Sequence, residues 1–411
     1  MTGHAAARPR LPLAPVVVTT NARPPAGVPK AAPAIGSPAD ALAEIATWPG
    51  YHPTPVLALP GLAAAVGVEA VWVKHEAPRF GQGSFKPLGA GLAVARVVSR
   101  HVAQATGRPG VRSVDLLTGG FRDVAANVVV ACATDGNHGR AVAWAARLFG
   151  ARAVVFLASH VSPDREAAIE ALGAEVRRST GNHDEAVREA ARWAARKGWT
   201  MISETGSAGD DAIPRDMLSG YAAIAEELAG QWDGDAGPSH LLVPVGVGGL
   251  AAGLVAWFAG RDGSQTPRMI AVEALEADCL RRSLLVGHRV AVTGSLTTVM
   301  GGLAAGEVSA AAWPWLQHGV DAAIGLGDEA VVPALRLLAD GAFGDPPLEA
   351  GESGGAALAA LLAVAENEED RTRLGLDAGA RVLVIVTEGV TDPVVWERLT
   401  GRPPAGDRVL S

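Results

Sequence analysis

Short apolar runs alternate with longer amphipathic stretches along most of the chain. Runs of three to five apolar residues are typical of strands buried on both faces, and amphipathic stretches are typical of helices. The alternation predicts an α/β fold of parallel sheets covered by helices on both faces. The predicted strands are Val71–Val73, Val128–Val130, Ala153–Phe156, Leu241–Val243, Met269–Val272 and Val382–Val386, and the predicted helices include Ala141–Leu148, His183–Arg196, Tyr221–Leu228 and Ala356–Ala365.

Three segments lack a clear period. Residues 1–33 are rich in proline and arginine, and Pro15 breaks their short apolar run, so we predict a loosely ordered arm. Residues 106–127 are rich in glycine, arginine and aspartate and predict a surface insertion, and residues 206–214 predict a loop. Because ligands bind at the carboxyl ends of strands in α/β proteins, functional motifs are expected in the turns after predicted strands.

Composition supports a large folded protein and excludes several functions. Of the 411 residues, 49% are hydrophobic, enough for two or three structural domains. The net charge of −8, without a long basic run, argues against a nucleic-acid partner. No apolar stretch reaches the length of a membrane helix and no secretory leader is evident, so we expect a cytoplasmic protein. Two cysteines, Cys132 and Cys279, exclude a disulfide framework or a four-cysteine metal site, and no metal is predicted.

The first candidate motif, residues 83–89, places Lys86 between a glycine-rich loop and a predicted helix. Pro87 suits the first turn of that helix, and Ser84 is its candidate cap. A lysine at a helix start near cationic or apolar groups loses its proton more easily, which favours Schiff-base formation. The alternative is a solvated surface lysine, the usual state of an isolated one.

The second motif, residues 133–139, follows a strand and opens a helix. Backbone N–H groups at such a helix start favour an anion, for example a substrate carboxylate. Asn137 can donate a hydrogen bond to a ring oxygen, and Asp135 can take a proton. The alternative is an ordinary strand-to-helix turn in which His138 is structural.

The third motif, Gly246–Leu250, has glycines that let the backbone wrap a phosphate at a helix N-terminus. The same residues also satisfy a dinucleotide-binding fingerprint, with Ala251 in its third position and Glu273 as the ribose-binding acid. That alternative leaves Lys86 and Asn137 unexplained.

The fourth motif, residues 386–392, follows the last strong strand. The Thr387 hydroxyl can face a heterocycle nitrogen there, and a neutral partner would leave a pyridine ring unprotonated. A threonine that caps the turn is the alternative.

In this order, the four motifs resemble those of the fold-type II pyridoxal-phosphate (PLP) enzymes, the family of threonine dehydratase and the tryptophan synthase β chain. The resemblance implies PLP held on Lys86, its ring oxygen on Asn137 and its ring nitrogen on Thr387. It also implies a phosphate site formed by Gly246, Val247, Gly248, Gly249 and Leu250, and a substrate site formed by Ser84, Thr134, Asp135, Gly136 and His138.

More specifically, the chain resembles the diaminopropionate ammonia-lyases from about residue 51 to about residue 398. Residues 133–139 with Asp135, the block 277–304 and the ending 387–392 carry this similarity. Two positions depart from the pattern. These enzymes often carry a second cysteine near the position of Ala305, which could pair with the one that matches Cys279. This chain lacks that partner, so both thiols are expected to be free. At the second position, Glu204 stands where these enzymes have a second catalytic aspartate.

The resemblance therefore implies a homodimeric, PLP-dependent ammonia-lyase of amino-acid catabolism. We expect a larger domain, residues 34–86 and 209–411, with a smaller domain, residues 87–208, inserted in it. The implied reaction is α,β-elimination of 2,3-diaminopropionate to pyruvate and ammonia, with Lys86 on the cofactor, Asp135 as base for the D form and Glu204 for the L form. Two alternatives stay open: a serine or threonine dehydratase of the same fold, and a non-catalytic metabolite-binding protein.

Overall fold

The structure of the protein, a computed structural model, describes residues 15–22, 35–134, 136–159, 161–181, 183–205, 212–232, 237–261 and 266–405. Within these residues the strands form two separate sheets. The strands are β1 Val16–Thr20, β2 Val56–Ala58, β3 Ala70–His75, β4 Val129–Thr134, β5 Arg152–Leu157, β6 Glu175–Arg178, β7 Thr200–Met201, β8 His240–Pro244, β9 Arg268–Ala274, β10 Ala322–Leu326 and β11 Arg381–Val386.

The larger sheet has seven strands in the order β1-β10-β9-β8-β11-β3-β2. Its five inner strands are parallel, and the edge strands β1 and β2 pair antiparallel. Successive residues of an inner strand enter different cores. Leu383 and Ile385 of β11 pack on one face of the sheet, whereas Val382 and Val384 pack on the other. Burial on both faces explains why these strands are unbroken apolar runs in the sequence.

The smaller sheet has four parallel strands in the order β6-β5-β4-β7. All four lie within the segment 87–208 that is predicted to form an inserted domain. The strands of the larger sheet, apart from β1, lie in the two segments that are predicted to form the other domain. The domain boundaries themselves stay a prediction.

Helices cover both sheets. The most apolar of them lie inside the core, as Ala356–Ala365 does, whereas His183–Lys197 has one polar face. In the described residues the helices are α1 Pro38–Ile45, α2 Pro60–Val66, α3 Lys86–Thr106, α4 Ser113–Leu117, α5 Arg122–Ala125, α6 Asn137–Phe149, α7 Pro163–Glu170, α8 His183–Lys197, α9 Ala212–Gln231, α10 Gly249–Ala259, α11 Cys279–Val286, α12 Trp313–Gly319, α13 Asp328–Ala339, α14 Ala356–Ala365, α15 Glu368–Leu374 and α16 Pro393–Thr400.

Three segments differ from the sequence-based expectation. The first is the predicted loop 206–214, since α9 begins within it at Ala212. Part of the supposed loose arm, Val16–Thr20, forms β1 and pairs with β10. The supposed surface insertion contains α4 and α5, and its Ser113 is buried, where Ser113 Oγ accepts a hydrogen bond from Trp48 Nε1 at 3.0 Å. Proline, glycine and charged residues interrupt the apolar positions of these last two segments, so no period is visible, and contacts with residues distant in the sequence determine their structure instead.

Both cysteines are buried free thiols, as predicted. Burial raises the pKa of Cys132 to about 12 and also raises that of Cys279. Since the thiolate is the reactive form, neither side chain is suited to nucleophilic chemistry. No helix in the described part of the chain is long and apolar enough to cross a membrane. The same residues contain no group of three or more side chains arranged to hold a metal ion.

Candidate active site

The four motif segments follow strands of both sheets. Lys86 begins α3, Asn137 begins α6 directly after β4, Gly249 begins α10 after β8, and Thr387 follows β11. Parallel strands place their carboxyl ends at one edge of a sheet, so this topology brings together residues that are far apart in the sequence.

The loop before Lys86 is fixed to the end of β11 by its backbone. Phe85 N donates a hydrogen bond to Thr387 O at 3.0 Å, and Gly389 N donates to Gly83 O at 3.0 Å. The start of α3 is therefore held at the strand end that is predicted to face the cofactor nitrogen.

Ser84 lies in this loop and forms an antiparallel bridge with Glu388. The expectation that Ser84 caps α3 is wrong, because the helix begins without a side-chain cap. The Ser84 hydroxyl is buried and has no hydrogen-bond partner among the described residues. A buried hydroxyl without a partner is costly unless a bound group satisfies it.

Lys86 is paired with Glu204, which lies three residues after β7. Tyr221 OH donates to the same carboxylate oxygen, Glu204 Oε1, at 2.6 Å. Burial favours the neutral acid, but the Lys86 charge and the hydrogen bonds from Lys86 and Tyr221 outweigh it, so the pKa of Glu204 is lowered. The structure thus places an ionised carboxylate directly against the predicted Schiff-base lysine.

The two ring nitrogens of His138 differ, since one is hydrogen-bonded to the backbone and the other has no hydrogen-bond partner among the described residues. Its Nε2 lies 2.8 Å from Ile202 O, and a carbonyl only accepts, so Nε2 carries the proton. Burial lowers the pKa of His138 against the opposing charge of Glu204, which keeps the ring neutral. Nδ1 is then a lone-pair acceptor, buried and without a hydrogen-bond partner in the described part of the chain.

Asn137 Nδ2 donates a hydrogen bond to Glu388 Oε2. The other oxygen, Glu388 Oε1, accepts from Ser353 N at 3.0 Å, and the Glu388 side chain is buried. Glu388 is a candidate site residue that the sequence interpretation missed. Its only signal was a glutamate beside Thr387, directly after a buried strand.

The loop between β8 and α10 has the features of a phosphate site. A Cβ on Gly246 would lie 3.0 Å from Gly302 O, and one on Gly248, where φ is +96°, would lie 2.5 Å from Leu316 Cδ1. Helical hydrogen bonding begins at Ala252 N, which donates to Gly248 O. The preceding N–H groups therefore remain for an anion at the helix start.

Glu273 does not belong to this site. Its carboxylate oxygens accept hydrogen bonds from Leu280 N at 2.8 Å and Arg281 N at 2.7 Å, at the start of α11. Burial raises the pKa of this fully buried side chain to about 8. The dinucleotide alternative, in which Glu273 binds a ribose, is contradicted.

Asp135 lies outside the described residues, but its neighbours are described. Thr134 Oγ1 accepts hydrogen bonds from Gly136 N at 3.0 Å and Gly139 N at 3.2 Å. This hydroxyl thus accepts two backbone hydrogen bonds at the start of α6, and the substrate-binding role of Thr134 stays a prediction.

Comparisons with known proteins agree with this geometry. A family model described as "Pyridoxal-phosphate dependent enzyme" matches residues 47–388. Diaminopropionate ammonia-lyase of Escherichia coli K12 is 35% identical over 361 residues, which cover 85% of this chain and 88% of that one. The Salmonella typhimurium enzyme of the same name is 34% identical over 357 residues, with the same coverage.

A crystal structure of diaminopropionate ammonia-lyase from Escherichia coli, in complex with an aminoacrylate–PLP azomethine reaction intermediate, has a TM-score of 0.84. It is 30% identical in sequence, and the match covers 95% of this chain and 98% of that one. The predicted fold type II and the predicted PLP cofactor are confirmed. The chain therefore belongs to the pyridoxal-phosphate dependent enzyme family, in the group of the diaminopropionate ammonia-lyases.

Proposed function

We propose that the protein catalyses the PLP-dependent α,β-elimination of 2,3-diaminopropionate. With one water, the substrate gives pyruvate and two molecules of ammonia. The observation that carries the proposal is the pairing of Lys86 with Glu204, beside the glycine loop. A Cβ on Gly249 would lie 3.5 Å from Glu204 Oε2, so lysine, acid and phosphate-type loop are neighbours. Relatives that cover most of the chain carry this activity in their names.

The residues present fit the cofactor. Lys86 would hold it, the N–H groups of residues 246–250 would bind its phosphate, and the Thr387 hydroxyl would face the ring nitrogen. Asn137 gives one amide hydrogen to Glu388 and keeps a second for the ring oxygen. When bound, PLP supplies an electron sink for the charge that develops at the substrate Cα.

The remaining chemistry belongs to the chain's own acids and bases. A substrate amine would displace Lys86 from the group that it would hold. Asp135 removes the Cα proton of the D form, Glu204 that of the L form, and Asp135, once protonated, can protonate the departing amine. Ser84 and His138 each offer the substrate a buried polar atom without a partner among the described residues.

Pyruvate formation from D- and L-2,3-diaminopropionate and from D- and L-serine tests the proposal. We expect diaminopropionate to be turned over faster than serine, because a β-amine must leave as ammonia and the site supplies acids for it. A preference for serine would favour the dehydratase alternative. If the protein shows the visible absorbance of bound PLP but forms no pyruvate from any of these substrates, the remaining alternative is a non-catalytic metabolite-binding protein.

We further propose that the protein is a cytoplasmic homodimer, on the strength of the sequence resemblance. Light scattering in solution checks the dimer, and cell fractionation checks the location.

Replacing Gly248 with alanine is expected to weaken PLP binding. A side chain at φ +96° costs roughly 1–2 kcal/mol of backbone strain, and its Cβ would meet Leu316. We expect the Kd of PLP, measured by fluorescence titration of the cofactor-free protein, to rise by about tenfold or more. Gly173→Ala is the matched control, since Gly173 has φ +87° but a Cβ there would have nothing within 4 Å. Equal effects of both variants would show that general strain, not the phosphate loop, is being measured.

A further inference from the structure

Tyr221 lies at the centre of the candidate site, although no sequence motif contains it. It is a fully buried residue of α9, and its ring packs on Phe85 with centroids 4.9 Å apart. A Cβ on Gly89 would overlap this ring, and one on Gly249 would lie 3.3 Å from it. The ring is therefore confined between the helix that carries Lys86 and the glycine loop, which fixes the position of its hydroxyl.

That hydroxyl is a permanent hydrogen-bond donor. Burial and the neighbouring Glu204 carboxylate raise the pKa of Tyr221 well above its ordinary value, so it stays protonated. It donates to Glu204 Oε1 at 2.6 Å, while Ser309 Oγ donates to the Glu204 main-chain oxygen at 2.8 Å. The residue is thus held at both its backbone and its carboxylate.

The second contact of Glu204 Oε1 is with Lys86, the residue that would hold the cofactor, so this contact would not be constant once PLP is bound. The Tyr221 contact does not involve the lysine. Glutamate also has one more rotatable bond than aspartate, so a carboxylate at its end needs an anchor to keep a single position.

We propose that Tyr221 is the positioning residue that holds Glu204 in place as the base for the L enantiomer. The inference rests on the proposed function. Tyr221 does not itself touch the reacting atoms; it acts through the carboxylate.

The test is Tyr221→Phe, which keeps the ring between Gly89 and Gly249 and removes one hydrogen bond. Because a hydrogen bond to a charged group is stronger than one between neutral groups, we expect its loss to lower kcat/KM for L-2,3-diaminopropionate roughly 10–100-fold. The kcat/KM for the D enantiomer should change by less than about twofold. The bond favours the ionised acid, so its loss raises the pKa of Glu204. A base works only when deprotonated, so the acid limb of the L profile should move to higher pH.

Two further variants complete the design. In a Glu204→Gln background, adding Tyr221→Phe should change L turnover by less than about twofold, because the tyrosine then has no carboxylate to position. Tyr51→Phe is the matched control: Tyr51 is the other of the chain's two tyrosines, and its hydroxyl donates to the buried carboxylate of Glu227 at 2.8 Å. It should spare both enantiomers and leave the pH profile unmoved.

A readout without activity separates this inference from the proposed function. In cofactor-free protein labelled with ¹³C at glutamate carboxyls, the Glu204 signal, identified by its loss in Glu204→Gln, should titrate at higher pH in Tyr221→Phe than in the wild type. Equal losses on both enantiomers with an unmoved acid limb would overturn the positioning role. So would an unchanged ¹³C titration, even if the wild type formed no pyruvate at all.

Discussion

Lys86→Ala is expected to lower pyruvate formation from both enantiomers of 2,3-diaminopropionate by at least about 10³-fold. Loss of a proton-transfer group alone typically costs about 10²–10⁴-fold, and this variant also loses the amine that holds the cofactor covalently. Borohydride reduction followed by peptide mapping should place PLP on Lys86 in the wild type and find no adduct in the variant.

Lys197→Ala provides the control for the Lys86 experiment. Lys197 ends α8, where its ammonium lies 5.9 Å from the Trp193 ring centroid, and it takes no part in the candidate site. Its replacement should leave turnover and the cofactor adduct unchanged. An adduct found on Lys197 or on the buried Lys74 would refute the assignment of Lys86.

Glu204→Gln is expected to lower L turnover by about 10²–10⁴-fold, the usual cost of losing a general base, and largely to spare D turnover. Asp135→Asn should do the reverse. The contrast follows from geometry, because removing protons from opposite faces of Cα requires bases on opposite sides of the cofactor plane. Initial rates with each pure enantiomer, measured across pH, provide the check.

The Glu204 effect should depend on pH in a defined direction. Because the folded-state pKa of Glu204 is lowered, the carboxylate is ready to accept a proton above that pKa and fails as pH falls through it. In the cofactor-free wild type, where Lys86 pairs with Glu204, the ¹³C signal of the Glu204 carboxyl should therefore titrate at lower pH than that of an ordinary glutamate. If both single variants lost both enantiomers equally, the two acids would share one path and the two-base scheme would be wrong.

Inner strands of the larger sheet were predictable because burial on both faces leaves an apolar run. Such runs mark β8, β9 and β11 in the sequence. By contrast β10, Ala322–Leu326, contains two alanines and a glycine, which are poor strand formers, and its place is set by pairing with β9 and β1. The edge strand β6 was missed because charged residues occupy most of it.

The site residues likewise fall into those that the sequence reveals and those that it does not. Residues in local motifs, such as Lys86 and the glycines of residues 246–249, are recognisable because a loop and a helix start impose their types and spacing. Tyr221 lies in no motif, and Glu388 lies in the fourth motif without a feature that singles it out, since each matters through a partner elsewhere in the chain. The predicted class, a PLP-dependent ammonia-lyase, is confirmed by the relatives, whereas the roles of Asp135 and Glu204 stay predictions.

The strand order of the larger sheet has a consequence for biosynthesis. β11, the last strand of the described chain, lies between β8 and β3, and Phe85 beside Lys86 is fixed to Thr387 just after it. Until residue 387 has left the ribosome, β3 and β8 have no strand to join them, and the lysine loop lacks its support. A nascent chain should therefore be unable to retain cofactor before that point.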